Sequence, residues 1–151
     1  EKAMADSRVL VCLWFDGKAR EAAEFYTSLL PNSRITGDHG IIVTFDLDGR
    51  SFMGLNGGPG RPHSEAASIY VGCADQAEVD RLWLALTANG GAESRCGWLR
   101  DRFGVSWQII PDALPRYVGG PDREAAGRAT QAMMAMRKID IAGLEAAYNA
   151  K

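Results

Sequence analysis

The chain has 151 residues, enough for one compact domain or two small modules, and 46% apolar with 24% charged residues is the composition of a folded globular protein, not a disordered or fibrous one. Seventeen basic against nineteen acidic residues give a net charge of −2; wrapping a phosphate backbone needs a basic surplus, so no nucleic-acid partner is expected. The longest apolar runs, residues 9–15 and 41–45, fall far short of the roughly 20 residues that a helix needs to cross a bilayer, so no membrane partner is expected either.

Glu1-Lys2-Ala3 ahead of Met4 reads as an expression scar or a trimmed terminus, and no basic stretch followed by an apolar run marks a secretory signal. Residues 9–15, a continuous apolar run rich in β-formers, predict a strand buried on both faces. Asp16-Gly17 stops it. Ala22, Ala23, Phe25, Tyr26, Leu29 and Leu30 then recur at helical spacing, which predicts a helix over 19–30 that Pro31-Asn32 ends. A short strand over 33–36 and a turn over 37–40 follow. Asp48-Gly49 between β-rich runs at 41–47 and 51–55 is a strong hairpin signal.

Residues 56–64, dense in Gly and Pro, predict a loop or crossover, and after it the order of elements repeats. A strand is predicted over 67–72 and a helix over 75–89. Asp75 stands as N-cap with Glu78 three residues on, Val79, Leu82, Trp83 and Leu86 form the apolar face, and Asn89-Gly90-Gly91 ends it. Three short strands are predicted over 92–95, 97–101 and 106–110, with Arg102-Phe103-Gly104 turning between the last two. The tail from 122 to 151 reads as two helices broken near Ile139-Asp140. Ala125, Ala129, Ala132, Met133 and Met136 stripe the first, and Ile141, Leu144, Ala147 and Tyr148 the second; packing in a core or a dimer contact is the expected role. A strand–helix–three-strand unit thus occurs twice, roughly 55 to 60 residues apart, with almost no residue identity between the copies. The expected division is a first βαβββ module at 9–58, a second at 59–111 and a helical extension at 112–151.

Three cysteines, Cys12, Cys73 and Cys96, are odd in number, widely spaced and without CxxC, which argues against a disulfide framework and a structural zinc site. Buried free thiols in a reducing cytoplasm are the expected reading. Histidine is scarcer still, with only His39 and His63.

Several motifs together resemble one family. They are Cys12-Leu13-Trp14-Phe15-Asp16-Gly17, Ala22-Ala23-Glu24-Phe25-Tyr26, Pro31-Asn32-Ser33, Leu55-Asn56-Gly57-Gly58-Pro59, Val79-Asp80-Arg81-Leu82-Trp83, Cys96-Gly97-Trp98-Leu99-Arg100-Asp101, Gly104-Val105-Ser106-Trp107-Gln108-Ile109 and Lys138-Ile139-Asp140-Ile141. The chain resembles, over about residues 9–147, the PhnB-like family, often labelled 3-demethylubiquinone 3-methyltransferase domain, of the glyoxalase/bleomycin-resistance/dioxygenase (vicinal oxygen chelate) superfamily. The resemblance implies an α+β fold of two βαβββ modules whose strands form a cupped mixed sheet around one cavity, with C-terminal helices here, and a homodimer. Relatives carry a longer link where this chain has only residues 37–40.

In metal-using members of the superfamily, His and Glu side chains project from the first, fourth, fifth and eighth strands. By that resemblance the positions here fall on Cys12 and Trp14, on Gly54 and Asn56, on Ser68 or Ile69, and on Gln108 where relatives place Glu. A thiol and an amide do not complete a divalent site, so no metal is expected. A site recruiting His63, Glu65 and Cys12 has no spacing motif behind it. The methyltransferase label finds no support in the residues. The glycine-rich stretch at 56–60 leads into Pro62 and a strand, where cofactor-binding turns lead into a helix, and the chain has no room for a doubly wound cofactor domain. No cofactor is expected.

The binding candidates are Trp14, Asn56, His63, Glu65, Trp98 and Gln108. Gln108, between Trp107 and Ile109, faces a cavity if its neighbours face the helix layer; otherwise it is a structural amide. Trp14 and Trp98 either pack in the core or line an apolar cavity. Asn56 either tolerates a left-handed loop start or points its amide at a ligand. His63 and Glu65 are either loop-surface residues or an acid–base pair. Arg100 and Asp101 are expected in surface or interface ion pairs. Two functions remain: a metal-independent small-molecule binder, or an enzyme of lyase or isomerase type with His63 as general base and Gln108 and Asn56 as polarising amides.

Overall fold

The computed structural model of the chain describes residues 8–151, so the Glu1-Lys2-Ala3 segment lies outside the described residues. Two compact units follow one another, the first ending at His63 and the second beginning at Ser64. Among the described residues no helix is long and apolar enough to cross a membrane.

The first unit consists of β1 (Val11–Phe15), α1 (Ala19–Leu29), β2 (Arg34–Asp38), β3 (Ile42–Leu47) and β4 (Arg50–Asn56). The sheet order is β1-β4-β3-β2, with β1 and β4 parallel and the remaining pairs antiparallel. Alternation along the strands separates two faces. Leu13 and Phe15 of β1 and Val43, Phe45 and Leu47 of β3 are buried on the face that α1 covers. The helix meets them with Ala22, Ala23 and Tyr26, all fully buried, and the Tyr26 ring lies 6.2 Å from that of Phe45. Burying a side chain such as Phe45 stabilises by about 1.5 to 3 kcal/mol. Gly54 allows the close approach, because a Cβ there would stand 3.0 Å from the Cβ of Ala19. Asp48 and Gly49 join β3 to β4 at φ of +48° and +78°, the two positive values that a two-residue hairpin turn requires.

The second unit repeats the order with β5 (Ser68–Cys73), α2 (Gln76–Thr87), β6 (Ala92–Glu93), β7 (Trp98–Arg100) and β8 (Ser106–Pro111), in the sheet order β5-β8-β7-β6. Again the first and last strands pair in parallel. Asp75 caps α2 by accepting from the Glu78 N–H, and Val79, Leu82, Trp83 and Leu86 are buried beneath it. Leu99, Trp107 and Ile109 supply the sheet side of that core. The α+β class and the doubled βαβββ order are therefore as expected.

Beyond β1, where Val11 and Cys12 are exposed although burial of both strand faces and of the thiols was expected, three features differ from the sequence reading. A helix that the sequence did not announce, α3 (Leu114–Val118), precedes the two expected in the tail, α4 (Arg123–Met134) and α5 (Ile141–Asn149). The first is a single turn started by Pro115, too short to show a periodicity. Met133 and Met136 pack, as a stripe should, against the buried Ile110, Ile139 and Leu144. The strand expected over 92–95 shrinks to two residues, because the chain leaves the ladder before the left-handed Cys96 (φ +56°).

Asp101 is the third. It is 1% exposed, far from the surface ion pair expected of it. One carboxylate oxygen accepts from the N–H groups of Phe103 and Val105 at 2.8 and 3.0 Å, and the other from Trp107 Nε1 at 2.9 Å. The side chain thus ties the β7–β8 turn to the core tryptophan of β8. Asp101→Ala strands these buried donors and is expected to cost about 3 kcal/mol or more in urea denaturation. Asp101→Asn keeps an acceptor for the turn and should cost about half as much. An alanine variant as stable as the parent would contradict this role.

Candidate functional site

In each unit one face of the sheet is packed by its helix; on the second unit the end of the opposite face is covered as well, where Ile110 is buried against Ile139 and Leu144. On the second unit that opposite face carries a row set by register: Tyr70 of β5 lies beside Gln108 of β8, and Gln108 lies beside Trp98 of β7. Directly paired residues on one face stand within side-chain contact distance. Trp107 and Ile109 turn to the helix side and are fully buried, so Gln108 points away from it, as the alternation required. Its Nε2 donates to Ser68 Oγ at 3.0 Å, which leaves the amide oxygen available as an acceptor between two aromatic rings. Trp98 and Gln108 are half-buried, and Tyr70 is 60% exposed. Tyr70 was missed in the sequence. Its only signal was its place two residues after Ser68 in an alternating strand, and nothing local shows which strand lies beside it.

On the first unit the corresponding face carries Cys12 and Trp14 of β1, Met53 and Leu55 of β4, and Ile42 and Thr44 of β3. Trp14 lies in a row with Leu55 and Ile42, and its indole is held by the loop after β4. Trp14 Nε1 donates to the Gly58 carbonyl at 2.7 Å, and the Arg61 guanidinium lies 5.0 Å from the ring centroid. A Cβ at Gly57 would stand 2.1 Å from the indole, so only glycine lets the loop pass this close. His63 closes the same strap. Its Nε2 lies 2.7 Å from the Trp14 carbonyl oxygen, which can only accept, so Nε2 carries the proton and Nδ1 remains as the second ring nitrogen. The His63 ring also stands 5.8 Å from Phe15. Glu65 is exposed two residues further on.

Asn56 sits elsewhere than expected. The register pairs it with Phe15 and places both it and Gly54 on the helix side; Met53 and Leu55 are the residues of β4 that face away. Its backbone is not left-handed either, since it is absent from the positive-φ residues Asn32, Asp48, Asn89 and Cys96. Asn56 Oδ1 accepts from the Ala19 N–H at 2.9 Å and Nδ2 donates to the Gly40 carbonyl at 3.0 Å. The amide therefore caps α1, whose own N-cap residue Lys18 makes no side-chain cap bond, and ties the β2–β3 turn to β4.

The donor set does not fit a divalent metal. The residues of β1, β4, β5 and β8 that face away from the helices offer a thiol, a thioether, hydroxyls and an amide, with no imidazole or carboxylate. Among the described residues no three His, Cys, Asp or Glu side chains group closely enough to hold a metal ion. Nor do the residues fit S-adenosylmethionine, because the strand-to-helix turns at Asp16-Gly17-Lys18 and Ala74-Asp75 lack the glycine-rich cradle, and the loop of 57–63 leads to β5, not to a helix. The thiols are free. Burial pushes the Cys73 thiol up to about 12, helped by the negative charges of Glu78 and Asp112, and partial burial also raises that of the exposed Cys12.

Residues 7–110 match the family described as 3-demethylubiquinone-9 3-methyltransferase. No curated protein matches the chain. Among solved structures the chain is similar to a PhnB protein from Bacillus cereus carrying the same label, at 32% identity and a TM-score of 0.63, over 70% of this chain and 99% of that one. It is also similar to a Pseudomonas aeruginosa protein at 21% identity and a TM-score of 0.55, over 71% of this chain and 100% of that one. A glyoxalase-related enzyme from Fulvimarina pelagi matches at 16% identity and a TM-score of 0.49, over 72% and 91% of the two chains.

Two outcomes follow from this geometry. Asn56→Ala removes a helix cap and is expected to lower the unfolding free energy by about 1 to 2 kcal/mol, read by denaturant titration; an unchanged midpoint would contradict it. Cys73 should resist alkylation in the native protein at pH 8 while Cys12 reacts, followed by peptide mass spectrometry. Because its folded pKa lies above the ordinary 9.0, its contribution to stability is whole below about pH 9 and is lost as the pH rises toward about 12. Cys73→Ala should flatten that alkaline decline.

Proposed function

The chain belongs to the family described as 3-demethylubiquinone-9 3-methyltransferase, the PhnB-like proteins, and from that premise we propose that it is a metal-independent binder of a small apolar or aromatic molecule, not a methyltransferase. The observation that carries this reading is the row Tyr70–Gln108–Trp98 on the face of the second sheet away from α2. Apolar walls with one placed polar group are the composition of small-molecule sites. Gln108, steadied by Ser68, supplies the polar contact, and the two rings supply stacking area. Trp14 adds a further aromatic surface on the first unit, held in place by Gly58 and His63.

His63 and Glu65 rank as loop residues in this reading. The acid–base alternative is the second reading: the bond to the Trp14 carbonyl fixes the His63 tautomer and leaves Nδ1 as the nitrogen that would take a proton. The family resemblance adds a homodimer to the proposal, and the free thiols are in keeping with a reducing, cytoplasmic setting.

A thermal-shift screen of aromatic and amphipathic metabolites tests the reading. A ligand at ten times its Kd should raise Tm by roughly 3 to 6 °C. Trp98→Ala and Gln108→Leu should each abolish most of that shift, and EDTA should leave it unchanged. A screen with no stabilising compound near millimolar concentration, or a shift that needs added metal, would overturn it.

A further inference from the structure

The family match stops at residue 110, so α3, α4 and α5 lie outside the matched residues. Where this extension meets the matched part of the second unit, Glu93, Ser94 and Arg95 on one side and Met134, Met136 and Arg137 on the other line an open cleft of about 450 Å³. We propose that this cleft is a second binding site, for a small organic anion with an apolar body. Its size is that of ordinary metabolite pockets, and two arginines face it against one carboxylate.

The walls are built, not loose. The Cys96 N–H donates to the Met136 carbonyl at 2.9 Å and the Gly97 N–H to the Arg137 carbonyl at 2.8 Å, so residues 136–137 are pinned to the turn ahead of β7. The carbonyls of Ala132 and Met133 at the end of α4 are taken by the N–H groups of Ala135 and Met136, which removes two acceptors that would repel an anion. Glu93 is wired to the core: one oxygen accepts from Trp83 Nε1 at 2.8 Å, and the other lies 3.6 Å from Arg137 Nη1. That ion pair is loose and exposed, and such pairs contribute little, so an incoming carboxylate, sulfonate or phosphate can take over the Arg137 guanidinium at small cost. Arginine binds such groups through paired N–H donors. Met134, 57% exposed, gives the apolar body a polarisable thioether surface, while Met136 packs into the core behind it.

The probe is 8-anilinonaphthalene-1-sulfonate, titrated into the full chain by fluorescence at low salt. Binding should saturate at one per chain and weaken as salt is added. Arg95→Ala and Arg137→Ala should each weaken it about tenfold or more, with Tm measured to confirm that the variants fold. Arg137→Lys, which keeps the charge but not the fork, should fall between. The neutral counterpart N-phenyl-1-naphthylamine should bind at least tenfold more weakly. Arg50→Ala, which removes an exposed arginine of β4 outside the cleft, should leave the affinity unchanged. Absence of saturable binding, full affinity in the folded double arginine variant, equal binding of the neutral probe, or a loss caused by Arg50→Ala would each overturn the proposal.

Discussion

The parallel pairing of the first and last strand in each unit is the constraint on which the remaining structure depends. A parallel neighbour cannot be reached by a tight turn, so the chain must cross over, and α1 and α2 are those crossovers. Once a helix lies on one face, alternation assigns every strand residue to the helix side or to the opposite side. Leu13, Phe15, Val43 and Phe45 become core in the first unit, and Leu99, Trp107 and Ile109 in the second. Cys12, Trp14, Ser68, Tyr70, Trp98 and Gln108 are left for other work.

Polar groups buried within this frame do structural work, and they do it over long sequence distances. Asn56 at the end of β4 caps α1, 37 residues earlier, so the parallel pair and the helix hold one another in place. Asp101 holds the hairpin that presents β7 and β8, and with it the register that sets Trp98 beside Gln108. The label attached to the family describes methyl transfer, whereas the chemistry of the exposed sheet faces is that of aromatic surfaces with a single amide. A family name and a site's chemistry are separate facts.

Element types were legible because they rest on local signals. The Asp48-Gly49 turn, the Asp75 cap with Glu78 and the helical spacing of Val79, Leu82, Trp83 and Leu86 each identify themselves within a few residues. Gln108 was legible for a related reason, since Trp107 and Ile109 on either side had to find the core. Asn56 was not, because its assignment to a face depended on which residue of β1 it stands beside. A strand's period is two, so an error of one residue moves every side chain to the other face, and Gly54 with Asn56 changed places with Met53 and Leu55 in this way. Asp101 looked like a surface charge although its three donors, Phe103, Val105 and Trp107, lie within six residues, because the turn that aims them at its carboxylate has no signal in residue type.

The sequence by itself determined the doubled order of elements, the hairpin and helix boundaries, the scarcity of metal-ligating side chains and the family. All of these follow from residue type and short-range spacing. The tertiary structure alone decided that Tyr70, Gln108 and Trp98 form one row, that the Trp14 indole is gripped by the loop after β4, and that Asn56 and Asp101 are structural. It also decided that Arg95, within the matched residues, and Arg137, 42 positions on in the tail without a family match, line one cleft. Those facts depend on strand register and on contacts between distant segments. Local propensity carries no information about either, because the energy that selects them is released only when the core has closed.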